Sequence, residues 1–508
     1  MSRTPSQEVT AIPAPNPHLS FQERTCSLRA ALMLLLLVAA TAATSSAQTF
    51  KTLHNFCSTT NTVGACLDGE DPSGTLVQGA NGDLYGTTLN GGTNNGGTVF
   101  KVTTAGKLTT IYNFCSQASC ADGSGPEGGL VLATNGSFYG VTSEGGAFGF
   151  GTVFKITAAG KLTTLHSFNQ TDGETPMVGL IQATNGNLYG TTNGSAANTG
   201  TAFQITPSGT LTTLHIFCDD SSTCFEGFNP NGLIQAADGN FYGTAFGGGI
   251  EGGCPAGFSG GGTAFRLTSS GTLTTLVPIF CQPNGFSPNS ALVQAANGNF
   301  FGTTLGGGDG TNSGFGTVYE MTPTGSSTFL YSFCLQTGCA DGSQPQGLIL
   351  GTDENFYGTT HSGGANNGTG TAFEITPTGQ LTTLHTFTGG DGMDPMGDLL
   401  LDTNGTFYGI TFTGGNNGRG TLFSLATGLG AFVETIPKSG KVGTKVIILG
   451  TNLKGATAVS FNGTAATFRA GSASEITTTV PIGATSGTLT VTTLAGTTLK
   501  SSVAFQVP

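Results

Sequence analysis

The sequence predicts an all-β protein: a seven-bladed β-propeller of four-stranded antiparallel blades, followed by an immunoglobulin-like β-sandwich. One phrase recurs between Phe50 and Ser424 at intervals of about 50 to 59 residues, a period typical of propeller blades. Each copy is rich in Thr, Val, Ile, Phe and Tyr and is interrupted by Gly, which favours strands over helices. The pattern changes near residue 428. These observations divide the chain into residues 1–47, 48–428 and 429–508.

Each copy contains an anchor tripeptide, in which two large apolar or aromatic residues precede a glycine. The anchors are Leu84-Tyr85-Gly86, Phe138-Tyr139-Gly140, Leu188-Tyr189-Gly190, Phe241-Tyr242-Gly243, Phe300-Phe301-Gly302, Phe356-Tyr357-Gly358 and Phe407-Tyr408-Gly409. Four short strands fit into each copy; in the clearest one they are residues 179–183, 187–192, 200–206 and 211–217. Asn185-Gly186 predicts positive-φ residues and a tight hairpin between the first two strands, and Ser208-Gly209 indicates another between the last two.

An up-and-down sheet places these tight turns at one end and the longer, variable connections at the other. We call the two ends the turn face and the loop face. Loops on a rigid scaffold commonly carry function, so the loop face is the predicted working surface. The fourth-strand phrase also occurs seven times, but its first copy, Thr52 to Phe56, precedes the first complete unit. This strand is therefore predicted to complete the last blade and close the ring.

The first 47 residues predict a secretory signal peptide. Arg24 and Arg29 precede an apolar run over residues 30–40, and small residues follow up to Ala47. That run is short for a membrane span, which favours cleavage after Ala47 over an uncleaved anchor. The formal net charge of −12 argues against nucleic acid and anionic membranes as partners. No membrane span is expected after cleavage, and the C-terminus carries no apolar tail or sorting motif.

The cysteines favour disulfides and export. Cys26 lies in the leader. Four pairs stand close together in the connections between units: Cys57 with Cys66, Cys115 with Cys120, Cys218 with Cys224, and Cys334 with Cys339. Cys254 and Cys281 are predicted to lie on the loop face and to form a fifth pair. Zinc is the alternative, but no histidine stands at ligand spacing beside these cysteines, so no metal is expected.

Every connection between units, hereafter a link, carries an acidic-Gly or Asn-Gly step shortly before a proline. The acidic residues are Asp68, Asp122, Asp172, Glu226, Asp341 and Asp391, with Asn284 at the remaining link. A turn explains them: the side chain caps the backbone, Gly takes a positive φ and Pro fixes the next strand. The alternative is a ring of ligand-binding carboxylates around the pore mouth, for a hard cation such as calcium. One carboxylate per blade supplies too few ligands for one site, so we favour the turn.

His54, His166, His215 and His385 share one repeat position, which Tyr112 and Tyr331 occupy in other units. A position that accepts Tyr for His indicates packing rather than catalysis. We find no Ser-His-Asp order, close carboxylate pair or P-loop, and the glycine runs precede no helix. No catalytic residue and no cofactor is predicted.

The last segment, from about residue 429, lacks the anchor and all cysteines. It alternates apolar and polar residues in about seven short strands, as a small β-sandwich does. Residues 446–449 and 487–491 are its clearest strands.

These patterns resemble two known families. The repeated unit LYGTT…GTVFKIT…LTTLHSF, over about residues 50–425, resembles the GloVer (Gloeobacter/Verrucomicrobium) tandem repeat of exported bacterial proteins. The tail resembles an IPT/TIG domain through Gly450-Thr451-Asn452-Leu453 and Val459-Ser460-Phe461-Asn462-Gly463. The first resemblance implies an extracytoplasmic protein and transfers no catalytic residue. The second implies an immunoglobulin-like module used for spacing or binding.

Three functions follow as hypotheses. We expect a secreted, non-catalytic binding protein that presents its loops to an extracellular glycan or protein. The first alternative is a propeller-type hydrolase or lyase of polysaccharide, whose residues would converge on the axial pocket from several blades. The second is a structural component of the cell envelope.

Overall fold

The computed structural model describes residues 48–62, 64–194, 199–219, 224–249, 261–277, 285–308, 314–365 and 368–508. The predicted signal peptide and the predicted Cys254–Cys281 pair lie outside these residues. No helix in the described part of the chain is long and apolar enough to cross a membrane.

The described strands before residue 427 form seven sheets, which we number as blades. The first strand is β1 (Thr49–Asn55). Blade 1 contains β2 (Glu70–Gln78), β3 (Leu84–Asn90), β4 (Thr98–Val102) and β5 (Leu108–Asn113); blade 2 contains β6 (Val131–Leu132), β7 (Phe138–Thr142), β8 (Thr152–Ile156) and β9 (Leu162–Ser167); blade 3 contains β10 (Ile181–Gln182), β11 (Leu188–Thr192), β12 (Thr201–Ile205) and β13 (Leu211–Ile216). Short 3-10 helices span Ala118–Cys120 and Thr337–Cys339 in two links.

The later blades repeat the arrangement. Blade 4 contains β14 (Phe228–Pro230), β15 (Ile234–Gln235), β16 (Phe241–Gly247), β17 (Thr263–Leu267) and β18 (Leu273–Val277); blade 5 contains β19 (Phe286–Pro288), β20 (Val293–Gln294), β21 (Phe300–Gly306), β22 (Thr317–Met321) and β23 (Ser327–Ser332); blade 6 contains β24 (Ser343–Leu350), β25 (Phe356–Ser362), β26 (Thr371–Ile375) and β27 (Leu381–Thr386); blade 7 contains β28 (Leu400–Leu401), β29 (Thr406–Thr411) and β30 (Thr421–Ala426). In blades 4 and 5 the innermost strand is divided in two, and both parts pair with the next strand: β14 and β15 with β16, and β19 and β20 with β21. The other neighbouring strands pair antiparallel in chain order, so the predicted four-strand unit is confirmed.

The leading strand closes the ring. β1 pairs antiparallel with β30, with Thr52 opposite Phe423, and so becomes the outermost strand of blade 7. This confirms the prediction made from the offset of the fourth-strand phrase.

The residue before each link proline joins neighbouring blades. It has a positive φ in every link, although proline disfavours helical conformations of the preceding residue. Its N–H donates to a backbone oxygen of the preceding blade. The donors and acceptors are Asp71 and Arg419, Gly125 and Gly96, Thr175 and Phe150, Asn229 and Thr199, Ser287 and Gly261, Gln344 and Phe315, and Asp394 and Thr369, at 2.6–3.4 Å. The first of these bonds joins blade 1 to blade 7, so the junction at the closure matches the others.

The anchor tripeptide builds the core between blades. Its tyrosine packs on the first anchor residue of the next blade, as Tyr85 does on Phe138 with ring centroids 4.2 Å apart. The glycine is required by close packing: a Cβ on Gly86 would lie 2.6 Å from the Phe100 ring and 2.7 Å from Leu76. The fixed aromatic-Gly order therefore reflects packing between layers.

The turn after β10 differs in one detail from the expectation. Gly186 has φ 83°, but Asn185 does not adopt a positive φ. Instead Asn185 accepts a hydrogen bond from the backbone of Asn187 at 3.0 Å and donates its amide to the Tyr189 hydroxyl at 2.7 Å. The turn therefore uses Asn for side-chain hydrogen bonds and Gly for the left-handed conformation.

The C-terminal domain is a sandwich of two four-stranded sheets. Its strands are β31 (Glu434–Ile436), β32 (Lys445–Leu449), β33 (Ala458–Phe461), β34 (Thr464–Ala465), β35 (Phe468–Ala470), β36 (Glu475–Thr479), β37 (Leu489–Thr492) and β38 (Thr498–Lys500). The sheet orders are β31-β32-β36-β35 and β34-β33-β37-β38. The sandwich is thus confirmed, with two of its strands within two residues of the predicted positions.

This domain packs on the turn face of the propeller. Alternation along β32 separates its side chains: Val446 and Ile448 enter the sandwich core, whereas Ile447 and Leu449 join a cluster with Tyr85 and other residues of blades 1 and 2. The Ser474 hydroxyl donates to the backbone oxygen of Ala80 at 2.7 Å, in the first turn of blade 1. The sandwich therefore covers part of the turn face and leaves the loop face open.

Candidate functional site

The six acidic link residues each meet the His or Tyr at the end of an outer strand. The pairs are His54 and Asp68 at 3.0 Å, Tyr112 and Asp122 at 2.8 Å, His166 and Asp172 at 2.9 Å, His215 and Glu226 at 3.1 Å, Tyr331 and Asp341 at 2.8 Å, and His385 and Asp391 at 3.0 Å. Tyr replaces His here because either side chain can donate a hydrogen bond to a carboxylate.

Backbone donors complete the link contact. Asp68 accepts hydrogen bonds from the backbone N–H groups of Ser58 and Thr59 at 3.1 and 3.2 Å, and a further bond from the Ser58 hydroxyl at 2.7 Å. Burial opposes ionisation, but the bonds from His54, Ser58 and Thr59 outweigh it and hold the pKa of Asp68 at about 2. Burial likewise opposes the ionisation of Asp122, and bonds from Tyr112, Ser116 and Gln117 lower its pKa. Asp172, Glu226, Asp341 and Asp391 also accept backbone N–H bonds. The six carboxylates thus cap the starts of their links, as the turn interpretation predicts.

The seventh link, which has no acidic residue, supports the pairing of donor and carboxylate. Asn284 stands there in place of an acid, and Val277 occupies the His/Tyr register position, opposite Ala264 as His215 is opposite Ala202. Donor and acid are therefore absent together. The two residues of a pair lie 6 to 14 positions apart in the sequence, one at the end of the outer strand and the other in the link that follows.

The structure places the six carboxylates beside the outermost strands of the blades. The alternative that set them around the pore mouth is therefore wrong about their position. Their sequence-based assignment as ligand-binding residues stays a prediction.

The four predicted disulfides within links are present: Cys57–Cys66, Cys115–Cys120, Cys218–Cys224 and Cys334–Cys339. Cys57, Cys66 and Glu70 hold donor atoms within 4.8 Å of one another. Because the two sulfur atoms are bonded to each other, this group offers no thiolate to a metal.

Two carboxylates on the inner segments of the blades belong to no motif of the sequence. Asp398 of blade 7 lies between Thr75 of blade 1, whose hydroxyl is 3.5 Å away, and the backbone N–H of Gly347 in blade 6. Burial raises the pKa of Asp398 to about 6, and the two hydrogen bonds offset only part of that effect. Burial, and then the charge of Glu144, raise the pKa of Glu127 in blade 2. Glu127 Oε2 is buried without a hydrogen-bond partner. We call Asp398 and Glu127 the axial carboxylates.

Exposed apolar side chains of the propeller gather at one end. Among the described propeller residues, the large exposed ones are Phe148, Met177, Phe225, Phe246, Phe315, Leu335 and Met396. All seven lie in links, in loops between second and third strands, or at the loop-face ends of strands. Phe148 is 60 % exposed and Leu335 is 62 % exposed. Exposed apolar groups concentrated on one surface are typical of an interaction site.

Two clefts are formed by described residues of the propeller and the sandwich. One of about 570 Å³ lies beside the outer strand of blade 3 and is lined by His215, Asp219 and Glu226 among others. The other, of about 250 Å³, lies between the turn face and the sandwich, with Tyr85, Phe138 and Glu475 in its wall.

The fold and the site define a β-propeller of tandem repeats with an immunoglobulin-like domain on its turn face. The family model described as the Gloeobacter/Verrucomicrobia repeat matches residues 41–255 and 251–465. The chain belongs to this family. An IPT/TIG domain is matched over residues 432–507, so both resemblances expected from the sequence are confirmed.

Comparison with curated proteins gives no match. Solved structures similar to the chain include the periplasmic gluconolactonase PpgL of Pseudomonas aeruginosa, at 16% identity and TM-score 0.42, covering 68% of this chain and 97% of that one. A putative 6-phosphogluconolactonase of Bacteroides uniformis has 16% identity and TM-score 0.42, covering 64% and 88%. An auxiliary nutrient binding protein of Bacteroides ovatus has 13% identity and TM-score 0.38, covering 75% and 76%. At these similarities no activity is carried over.

Proposed function

We propose that the protein is a secreted binding protein without catalytic activity, which presents its loop face to an extracellular glycan or protein. The distribution of exposed apolar side chains carries the proposal: those of the propeller lie on the loop face, opposite the face that the IPT/TIG domain covers. Disulfides in the links support export, because such bonds persist in oxidising compartments.

The test uses residues 48–508 with the disulfides intact, on a glycan array and in pull-downs from culture medium. Exposed aromatic side chains suit both protein hot spots and stacking on sugars. We expect Phe148→Ser combined with Leu335→Ser to weaken binding about tenfold, the loss of one to two hot-spot contacts. Leu494→Ser is the matched control, because Leu494 is 72 % exposed on the IPT/TIG domain. Absence of any ligand in both formats would refute the proposal.

The axial carboxylates favour a second candidate, a hydrolase or lyase of polysaccharide. A carboxyl group with a pKa of about 6, such as that of Asp398, can act as a general acid or base near neutral pH. Release of soluble product from polysaccharide, lost in Asp398→Asn, would support this candidate. Product release that is unchanged in Asp398→Asn would exclude Asp398 from such a role.

A further inference from the structure

The lysines and arginines of the described propeller are unevenly distributed between its two faces. In the described propeller, Lys51, Lys101, Lys107, Lys155, Lys161 and Arg266 lie towards the turn face, and Arg419 alone among lysines and arginines lies on the loop face. Arg419 forms a salt bridge with Glu70, with 3.1 Å between Nε and Oε2. The loop face therefore carries an excess of carboxylates together with the exposed apolar groups.

One loop-face area combines both features at the junction of blades 2 and 3. Phe148 and Glu144 lie in the loop after β7, and Glu174 and Met177 lie in the next link. The two segments touch, because Thr175 N–H donates to the backbone oxygen of Phe150 at 3.0 Å. Glu127 joins them, since the charge of Glu144 contributes to its raised pKa. We call this the blade 2–3 patch.

The IPT/TIG domain has the opposite composition. Its basic residues are Lys438, Lys441, Lys445, Lys454, Arg469 and Lys500, against the two acids Glu434 and Glu475. It also exposes Val442, Ile482, Leu494 and Val503, of which Ile482 is 89 % exposed.

Several of these groups lie at the end of the domain remote from its own propeller. β32 runs from Lys445 to Leu449. Leu449 pairs with Glu475, and the neighbouring Ser474 donates the hydrogen bond to Ala80 of the propeller. Lys445 is therefore about 13 Å further along the strand. The loop holding Lys441 and Val442 meets the segment before Ile482, because Gly443 N–H donates to the Val480 oxygen at 2.9 Å. We call this the distal end.

We propose that the blade 2–3 patch of one molecule binds the distal end of the IPT/TIG domain of a second copy. This inference rests on the proposed binding function of the loop face and names its partner. Carboxylates and exposed apolar groups on one surface meet lysines and exposed apolar groups on the other, the complementarity that fixes orientation and register at interfaces. Because the two surfaces differ and lie at opposite ends, the contact is head-to-tail and builds rings or open chains of molecules rather than a two-fold dimer.

Charge reversal tests the contact. We expect residues 48–508 to form concentration-dependent oligomers in sedimentation velocity at about 20 mM salt and to dissociate at about 500 mM, where exposed charges are screened within a few ångströms. Glu144→Lys with Glu174→Lys should weaken assembly about tenfold or more, and so should Lys441→Glu with Lys445→Glu. Mixing these two variants should restore assembly, since each then offers a complementary surface to the other. Lys107→Glu, on the turn face, is the charge control, and Ile482→Ser against Leu494→Ser tests the apolar part.

A chain that stays monomeric at low salt, or oligomers that survive both reversals, would overturn the inference. If the monomer instead binds polylysine or a neutral glycan through the blade 2–3 patch, the second copy is the wrong occupant while the binding function stands. Failure of the loop face to bind any of these probes, or any partner from medium, would remove both.

Discussion

The link carboxylates and the axial carboxylates belong to the same end of the propeller but have opposite environments. Asp68 and Asp122 are buried and accept several hydrogen bonds each, and their pKa values are lowered. Asp398 and Glu127 are half-buried and have fewer hydrogen-bond donors, and their pKa values are raised. Carboxylates of the first kind stabilise the fold when ionised, whereas those of the second kind cost stability at neutral pH. Groups that are unfavourable for the fold are the stronger candidates for a functional role.

Removing a link carboxylate should have the largest effect. Asp122 is fully buried and accepts bonds from Tyr112, from Ser116 N–H and hydroxyl, and from Gln117 N–H, all at 2.8–3.1 Å. Asp122→Ala would leave these donors without an acceptor and should cost about 3 kcal/mol. Calorimetric thermal unfolding of the oxidised protein measures it. The matched variant Asp172→Ala, at a more exposed link, should cost less; equal costs would contradict the dependence on burial.

The pH dependence of Asp68 gives the next effect. Its pKa is about 2 when folded and near 3.8 otherwise, so its ionised form stabilises the fold above pH 4, and this contribution is lost as pH falls through 2. Asp68→Asn should therefore destabilise the protein by about 2 kcal/mol at pH 6. The difference between variant and parent should shrink between pH 4 and pH 2. A difference that is constant over this range would show that the charge is not responsible.

Asp398→Asn should change stability in the other direction. The folded pKa of about 6 lies above the ordinary value of 3.8, so between these values only the unfolded state ionises. Stability therefore falls as pH rises from 3.8 to 6, and the loss is complete above pH 6. The neutral amide removes that cost, and we expect a gain of about 1 kcal/mol at pH 7.5 that disappears near pH 4. Thermal unfolding at both pH values measures it. Loss of stability at pH 7.5 would place Asp398 with the link carboxylates.

The sequence predicts the turns of the links but not the environment of the axial carboxylates. Asp-Gly before Pro predicts the turn, and Gly69 indeed has φ 91° and Gly123 φ 101°. The offset first strand predicts ring closure, because the first strand has no blade of its own and the last blade lacks its fourth strand. The positive φ before each proline could not be predicted, since Asp, Gly, Thr, Asn, Ser and Gln all occupy that position. Asp398 gave no signal either: it stands where other units carry Thr75, Gly129, Gly179 or Ala291, and its enclosure arises only when the ring brings blades 6, 7 and 1 together.

The smallest effect concerns the donor that faces each link carboxylate. If the His/Tyr position serves only to donate a hydrogen bond, His166→Tyr should change the free energy of unfolding by less than about 0.5 kcal/mol. Tyr112 and Tyr331 reach their carboxylates at 2.8 Å in the same register. His166→Phe keeps an aromatic ring but removes the donor, and should cost about 1 to 2 kcal/mol, since the carboxylate of Asp172 loses a hydrogen bond. Thermal unfolding of the two variants side by side separates packing from hydrogen bonding. Equal costs for Tyr and Phe would show that the position requires histidine itself, and the link carboxylates would then have to be regarded, like the axial ones, as candidates for function.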